Sequence, residues 1–520
     1  MAKRKNLTAD DLLRRQEQSP NKRTKLFPLG HEDDSESSDA NSESELEAGP
    51  VHLQVLERVK KDRLESLPQR FQGEKTSESK AELRPLASFS ELGVSLAVQN
   101  ALKAMSIHTP TEIQAACIPP LLAGMDCIGN AKTGSGKTLA FAIPIIQKLS
   151  VDPYGIFALI LTPTRELAFQ ISDQFAILGN SMNIRTAVIV GGMDMMAQAL
   201  ELGNRPHVVI ATPGRIVDHL NSGSGEWNLS RVKFLVLDEA DRLLSPSFVP
   251  ELSHLFKILP KERQTCLFTA TLTSSIEDVA KAPPRPGKQK PFIHRMTERV
   301  ETVATLKQSF ILVPSHVRES YLFHFLCNPP ESTSHLRRAP PSIEDAVPQQ
   351  PPPTIIFCAR PRTAAYLTIF LKSMSIRSTA LHSRLTQRER LSSLSLFRSS
   401  VVPVLISTDV GARGLDIEDV AIVINWDLPE EPEEYTHRVG RTARAGRGGI
   451  ALSFVTETDE ERVLKIEARI GTKLEEIVLP ENKVLENLNA ISTAKRLANM
   501  ELHDSDFGKR ERINRLKTRQ

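Results

Sequence analysis

Residues 131–138 read AKTGSGKT. In Gly134-Ser135-Gly136-Lys137-Thr138, successive backbone N–H groups can wrap phosphate oxygens, and the glycines permit the close approach. At this spacing Lys137 reaches the outer phosphates of a nucleotide, and Thr138 offers its hydroxyl to Mg2+. The usual phosphate-cradling pattern opens on a glycine, and here Ala131 stands in that place. A glycine-rich turn without a ligand would carry much the same letters, so a second feature has to separate the two. FLVLDEAD (234–241) supplies it. An apolar run that ends in acids puts Asp238 where it can hold the water shell of Mg2+, and Glu239 where it can orient or deprotonate an attacking water. An acid-capped turn between strand and helix is the plainer reading of FLVLDEAD alone. Loop and acid pair together predict hydrolysis of a nucleoside triphosphate.

Both features need a frame. A short apolar stretch with Cys127 and Ile128 precedes the loop, and LAFAIPIIQKL follows it at helical spacing. A helix there brings its positive N-terminal end to the anion. FALILT (157–162), HVVIAT (207–212), FLVL (234–237) and CLFTAT (266–271) read as strands, and LAFQISDQFAIL as a helix between two of them. Strands alternating with helices predict an α/β fold: a parallel sheet with helices on both faces and ligands at the carboxyl ends of the strands. The rhythm stops in the proline-rich, basic KAPPRPGKQKPF (281–292). It restarts with TIIFCAR (354–360), STALHS (378–383), VPVLIST (402–408), AIVINW (421–426) and IALSFV (450–455), a second α/β domain without obvious sequence repeat of the first. The domains expected are residues 86–294 and 307–477, joined by a linker over 295–306. The Pro- and Ser-rich segment 328–353 is expected as a surface insertion, because proline is barred from a sheet interior.

The termini differ in composition. Residues 1–85 are expected to be disordered, since His31 to Pro50 is mostly Ser, Asp and Glu and cannot offset chain entropy by burial. The clusters Lys3-Arg4-Lys5 and Lys22-Arg23-Thr24-Lys25 are compatible with nuclear-import signals and equally with a solvated tail. Residues 478–520 are expected as a tail that begins helical and ends basic in GKRERINRLKTRQ. The 520 residues carry a net charge of only +3, so the placement of charge says more than its sum. No run approaches the ~20 apolar residues of a membrane span, and the N-terminus has no apolar signal core. The five scattered cysteines form no CxxC pair and are expected as buried, reduced thiols of an intracellular protein.

Between Phe89 and Ile477 the motifs, in order, resemble those of the DEAD-box ATP-dependent RNA helicases. The resemblance implies two tandem RecA-like domains, with ATP and Mg2+ bound between them and RNA along one side. Within 87–115, Phe89 and SIHTPTEIQ (106–114) correspond to the adenine-reading element. Gln114 would bond the adenine edge and Phe89 would stack on the base, although Ser106 and Ile107 replace the family's glycine and aromatic. Ala131 is the family's usual residue, and Ala131 to Thr138, with Lys132, Thr133 and Ser135, would line the phosphates. Thr138 and Asp238 would serve Mg2+. Thr269-Ala270-Thr271 stands where the family has Ser-Ala-Thr, and both hydroxyls would couple hydrolysis to domain movement. In the second domain, Asp416 of STDVGARGLD would contact the ribose. In HRVGRTAR (437–444), His437 would couple to the acids, and Arg441 and Arg444 would be arginine fingers. A guanidinium fork suits charge spread over equatorial phosphate oxygens.

The same resemblance assigns RNA contacts to Pro163, Thr164, Arg165, Gly191, Gly192, Thr212, Gly214 and Arg215 (with Pro213 between the last groups), and to Arg360, Gln387, Arg390, Thr408 and Gly411. Hydroxyls, glycine backbone and arginines bind phosphates and 2′-OH groups with little base information. Aromatics make up 5% of the chain, which argues against base-stacking platforms. ATP and RNA would jointly close the two domains. The motifs are equally compatible with an ATP-gated RNA clamp of low turnover, and a DNA helicase is a third reading. TATL in place of SATL and the short basic tail resemble the subgroup that acts in 18S pre-rRNA processing and small (40S) ribosomal subunit maturation. That subgroup implies pre-rRNA and pre-ribosomal proteins as partners, and the nucleus and nucleolus as location.

Overall fold

A computed structural model describes residues 88–132, 134–151, 155–223, 227–285, 287–295, 306–334, 336, 350–411, 417, 420–442, 448–505 and 507. The expectations for residues 1–85, for most of the linker and for the middle of the insertion lie outside these residues. So do Thr133, Asp416 and Arg444.

Two seven-stranded sheets form, and every strand pair in them is parallel. The first contains β1 (Cys127–Asn130), β2 (Ala158–Leu161), β3 (Thr186–Ile189), β4 (Val208–Ala211), β5 (Phe234–Asp238), β6 (Gln264–Thr269) and β7 (Phe292–His294). Its order is β3-β4-β2-β5-β6-β1-β7. The second contains β8 (Leu306–Leu312), β9 (Thr354–Phe357), β10 (Ser378–Leu381), β11 (Val404–Ser407), β12 (Ile422–Asn425), β13 (Gly449–Val455) and β14 (Glu475–Glu476), in the order β10-β11-β9-β12-β13-β8-β14. Shifted by seven, the two orders are the same. These are tandem RecA-like domains.

The central strands read as continuous, mostly apolar runs because each is buried on both faces. Alternate residues serve opposite cores. Ile160, Ile210, Val236 and Phe268 join one apolar cluster of the first domain, while Leu159, Val209, Leu237 and Leu267 join the other. Such burial contributes about 1.5–3 kcal/mol for each large side chain. The cysteines are free; Cys117, Cys127 and Cys266 lie in the first of these cores, Cys358 in a core of the second domain, and Cys327 is half-buried.

Two expectations change. The described carboxyl end of the 328–353 insertion is buried and not a surface loop. Gln350 spans Ser375 O (2.9 Å) and Arg377 N–H (3.0 Å), and the carbonyl of Pro353 accepts from Ala421 N–H (2.9 Å). Proline lacks only the donor, so a segment used through its carbonyls can still lead into β9. The second core also runs past residue 478. Val484, Ile491, Ala494 and Ala498 belong to it, through a helix Leu488–Asp504 that packs on the helix Pro361–Ser373.

Candidate functional site: a cleft between two sheets

The phosphate loop leaves β1 and enters the helix Lys137–Leu149. Gly134 and Gly136 adopt left-handed φ of 76° and 85°. A Cβ on Gly136 would stand 2.3 Å from Gln114 Nε2, so only glycine fits there. Gln114 is buried because it works in two directions. Its Oε1 accepts the Thr111 N–H (3.0 Å), completing a capping box at the start of the helix Glu112–Leu122, and its Nε2 donates to Gly136 O (3.1 Å). The adenine-reading segment is thereby tied to the phosphate loop. Phe89 is buried in the first core. Lys137 Nζ donates to the loop carbonyls of Ala131 (2.6 Å) and Lys132 (3.1 Å). The buried Ser135 hydroxyl has no hydrogen-bond partner and is a donor in waiting.

Opposite the loop, β5 ends in Asp238, whose Oδ1 accepts the Glu239 N–H (3.1 Å). Glu239 has φ 53° and ψ 52°, a left-handed turn that costs a non-glycine residue about 1–2 kcal/mol. That turn breaks the strand sharply before the helix Ala240–Leu243. Burial pushes Asp238 up to about 6, against the opposing pull of Lys137 and the Glu239 N–H. Burial likewise lowers Lys137, while Asp238, Glu239 and Asp241 act to raise it. A cation beside three carboxylates and the Thr138 hydroxyl is an oxygen-rich set. Such a set would fit a hard ion such as Mg2+.

The hydroxyls of the TAT turn join this set. Thr269 Oγ1 donates to Thr271 O (2.7 Å), and Thr271 Oγ1 donates to Asp241 Oδ2 (2.5 Å). Asn130 Nδ2 reaches Ala270 O (3.0 Å) and Ala131 N–H reaches Thr269 O (3.1 Å), so the loop and the turn move together. The second domain meets them here. His437 Nε2 stands 3.8 Å from Asp241 Oδ2. Arg441 is buried, donates through Nε to His437 O (3.2 Å) and lies within electrostatic reach of Lys137. Arg438, not singled out in the sequence, fixes this segment: it bonds Asp409 Oδ1 (2.7 Å) and Asp427 O (2.7 Å) over the Phe357 ring.

The residues assigned to RNA follow β2, β3 and β4 in the first sheet and β9, β10 and β11 in the second, the matching strands of the two. Thr164 and Thr212 precede the helices Arg165–Gly179 and Pro213–Ser222, with Pro163 beside them and Gly214 in open space. Arg215 is half-buried on the second of these helices, and its Nε has no hydrogen-bond partner. The Arg165 guanidinium lies against Gly191 and Gly192, so a Cβ on either would have to displace it. Arg360 is exposed, Thr408 donates its N–H to Leu381 O (3.1 Å), and Gly411 packs on Ser407. Gln387 and Arg390 are placed differently from an open groove. They are buried, and both hold Glu166 of the first domain, Gln387 Nε2 at 2.9 Å and Arg390 Nη2 at 2.8 Å. Glu166 and Asp241, like Arg438, carry no distinctive signal in the sequence. Glu166 reads as an ordinary first-turn acid, and Asp241 as the end of a motif whose first two acids take the attention.

Comparison with known proteins bears on both halves. The sequence pattern of the DEAD/DEAH box helicase family matches residues 111–279, and that of the helicase conserved C-terminal domain matches 342–446. ATP-dependent RNA helicase DBP8 of Mycosarcoma maydis is 48% identical over 83% of this chain and 88% of its own. The Schizosaccharomyces pombe dbp8 protein is 49% identical over 81% of this chain and 91% of its own. Among solved structures, Mss116p bound to single-stranded RNA and AMP-PNP superposes with a TM-score of 0.68 and 26% identity, over 81% of this chain and 88% of that one. S. cerevisiae Dbp5 bound to RNA and ADP BeF3 superposes with a TM-score of 0.64 and 27% identity, over 78% and 99%. With two RecA-like sheets, both helicase sequence patterns and relatives of this identity over most of its length, the chain belongs to the DEAD-box family of ATP-dependent RNA helicases.

Proposed function

We propose that this chain hydrolyses ATP in the cleft between its two sheets and uses the resulting opening and closing to unwind or remodel short RNA duplexes. The observation that carries the reading is the approach of His437 Nε2 to Asp241 Oδ2, 3.8 Å across the cleft. Gly134 to Thr138 cradle the triphosphate by backbone N–H groups. Lys137 leaves the loop carbonyls for the outer phosphates, and Gln114 with Phe89 selects adenine. Thr138 and Asp238 would hold Mg2+, which would supply positive charge against the phosphates. Glu239 orients the attacking water and takes its proton. Arg441, with Arg444, meets the charge that builds on the γ-phosphate. His437, Asp241 and Thr271 report that charge to the domain contact. Loss of the γ-phosphate removes what the arginines bridge, and the domains part.

RNA binding rests on the matching strand ends of the two sheets, so a strand lying across both is held only while they face each other. The relatives named as RNA helicases and the RNA-bound neighbours support this reading. Nucleotide and RNA should therefore each tighten the other's binding. Arg441→Ala tests the assignment: RNA-stimulated ATPase is expected to be abolished while ATP affinity is largely kept. Lost ATP binding would overturn the finger role. In the cell, the reading extends to pre-rRNA on the path to the small ribosomal subunit, in the nucleolus. Crosslinking of the chain to RNA in cells tests it, and reads that avoid pre-rRNA would overturn it.

A further inference from the structure

The two sheets differ at one buried position that the nucleotide chemistry above does not use. Asn130 closes β1 directly before the phosphate loop and is 6% exposed. Its partner in register is Thr269, the last residue of β6. In the second sheet the matching pair is Leu312, at the end of β8, and Val455, at the end of β13. The next backbone bond is the same in both: Ala131 N–H donates to Thr269 O at 3.1 Å, and Val313 N–H to Val455 O at 2.9 Å. The fold therefore asks for no amide here, since a half-buried leucine packed on an apolar cluster serves the second sheet. An amide taken out of water is unfavourable unless it is bonded. Asn130 meets that condition on one acceptor: Nδ2 donates to Ala270 O at 3.0 Å.

Ala270 is the middle of the TAT turn. The threonines on either side are tied to each other, Thr271 N–H donating to Thr269 Oγ1 (3.2 Å) and Thr269 Oγ1 to Thr271 O (2.7 Å). Thr271 Oγ1 leads on to Asp241, which stands 3.8 Å from His437 of the second domain. On the other side of Asn130, the Ala131 carbonyl accepts the Lys137 ammonium at 2.6 Å. Asn130 is thus the side chain that joins the start of the phosphate loop to the turn that reaches the second domain.

On the basis of the ATP cleft proposed above, we infer that Asn130 is a positioning residue that sets how strongly ATP and RNA favour each other's binding. When Lys137 turns to a phosphate, the Ala131 carbonyl loses its cation and the end of β1 shifts. The Asn130 amide makes Ala270 follow, and Thr271 and Asp241 with it. Without the amide only the Ala131–Thr269 backbone bond remains. It holds the end of the strand and leaves the tip of the turn behind. Asn130 touches neither nucleotide nor RNA, so each should bind alone as before.

Two variants test this. Asn130→Leu installs the residue that the second sheet uses. Asn130→Asp keeps the shape, removes the donor and sets a carboxylate against the Ala270 carbonyl. The Kd of single-stranded RNA is measured with and without a non-hydrolysable ATP analogue, and the Kd of the analogue with and without RNA. By linkage the two ratios are equal. Loss of one hydrogen bond should reduce the ratio about fivefold in Asn130→Leu, and at least as much in Asn130→Asp, with the separate affinities unchanged. The ATPase should show the same split: more RNA for the half-maximal rate, and little change in kcat at saturation. Urea unfolding identifies a merely structural role, which would lower stability and both separate affinities together and spare the ratio. That pattern overturns the inference, and so does the parent ratio in both variants. A parent chain in which neither ligand affects the other would instead sink the cleft reading itself.

Discussion

The two sheets have the same strand order, but only one can cradle a phosphate. In the first, six residues with two glycines lead from β1 to a helix whose first residue is Lys137. In the second, the matching loop after β8 is Val313-Pro314-Ser315-His316-Val317, and the helix Arg318–Cys327 opens on an arginine. This loop has no glycine to bring the backbone close, and Pro314 lacks an N–H. The carboxylates differ too. Ala158 lies opposite Phe234, and Thr354 opposite Ile422, so Asp238 corresponds to Trp426 and Glu239 to Asp427. Where Lys137 and Asp238 interact electrostatically within the first domain, Arg318 lies 3.2 Å from Asp427, bonds the Trp426 carbonyl and stacks 4.3 Å over the Trp426 ring. In the second sheet an arginine is packed on the strand end where the first sheet presents its acids. One topology thus carries both the candidate nucleotide site and a counterpart without its glycines, and the difference lies in a handful of loop residues.

The comparison breaks most visibly in the first domain. Glu239→Gln keeps the size and the left-handed turn but removes the base. kcat of the RNA-stimulated ATPase should fall about 10²–10⁴-fold, with ATP affinity changed little. A variant that retained the parent rate would move the water-activating role to another residue. The corresponding change in the second domain should cost stability and no chemistry. Arg318→Ala leaves Asp427 with its Ala359 N–H bond (2.9 Å) but without its cation, and the Trp426 ring without its partner. Because the pair is only partly buried, the expected loss is about 2 kcal/mol of second-domain stability. It is measured by urea unfolding, and the ATP Kd should be unaffected.

A third difference concerns protons. Thr186 pairs with Val208 and Ser378 with Val404, so His382 occupies the place that the wholly buried Val190 has in the first sheet. Burial, then the Arg384 and Arg390 charges, lowers His382 from 6.5 to about 4. The unfolded chain therefore binds more protons in that window. The contribution of His382 is fully present above pH 6.5 and is lost as the pH falls towards 4. His382→Val should flatten the acid loss of second-domain stability by about 2 kcal/mol. A first-domain transition that tracked this change would disprove the local origin.

Much of this frame can be read from the letters, and what cannot be read has a common cause. The buried central strands announce themselves as apolar runs, and the phosphate loop and acid pair fall at their ends. Edge strands do not: β14 is the two exposed residues Glu475 and Glu476, recruited only because β8 offers a free edge. β7 begins at Phe292, where proline and lysine suggest a break. The contacts between domains are equally silent, since Gln387 meets Glu166 at a separation of 221 residues and neither has an unusual neighbourhood. By contrast the C-terminal helix is legible. Ile491, Ala494, Ala498 and Leu502 repeat at helical spacing and mark a buried stripe within the expected tail.

The smallest expected effect is the sharpest test of why the sheets differ. Arg318→Lys puts a lysine at the first residue of the second helix, as Lys137 is in the first. If that cation alone made a nucleotide site, the variant would bind a second ATP. It should not, because the loop before it still lacks glycines, Pro314 still withholds a donor, and Trp426 stands where Asp238 would be. A lysine also forfeits the planar stack on Trp426, so a stability loss of about 1 kcal/mol accompanies an unchanged stoichiometry of nucleotide to protein. Titration with a fluorescent ATP analogue reads that ratio. A second equivalent bound would mean that backbone geometry matters less than the cation. An unchanged ratio would place the distinction between the two sheets in the loop backbone and the strand-end acid rather than in the cation.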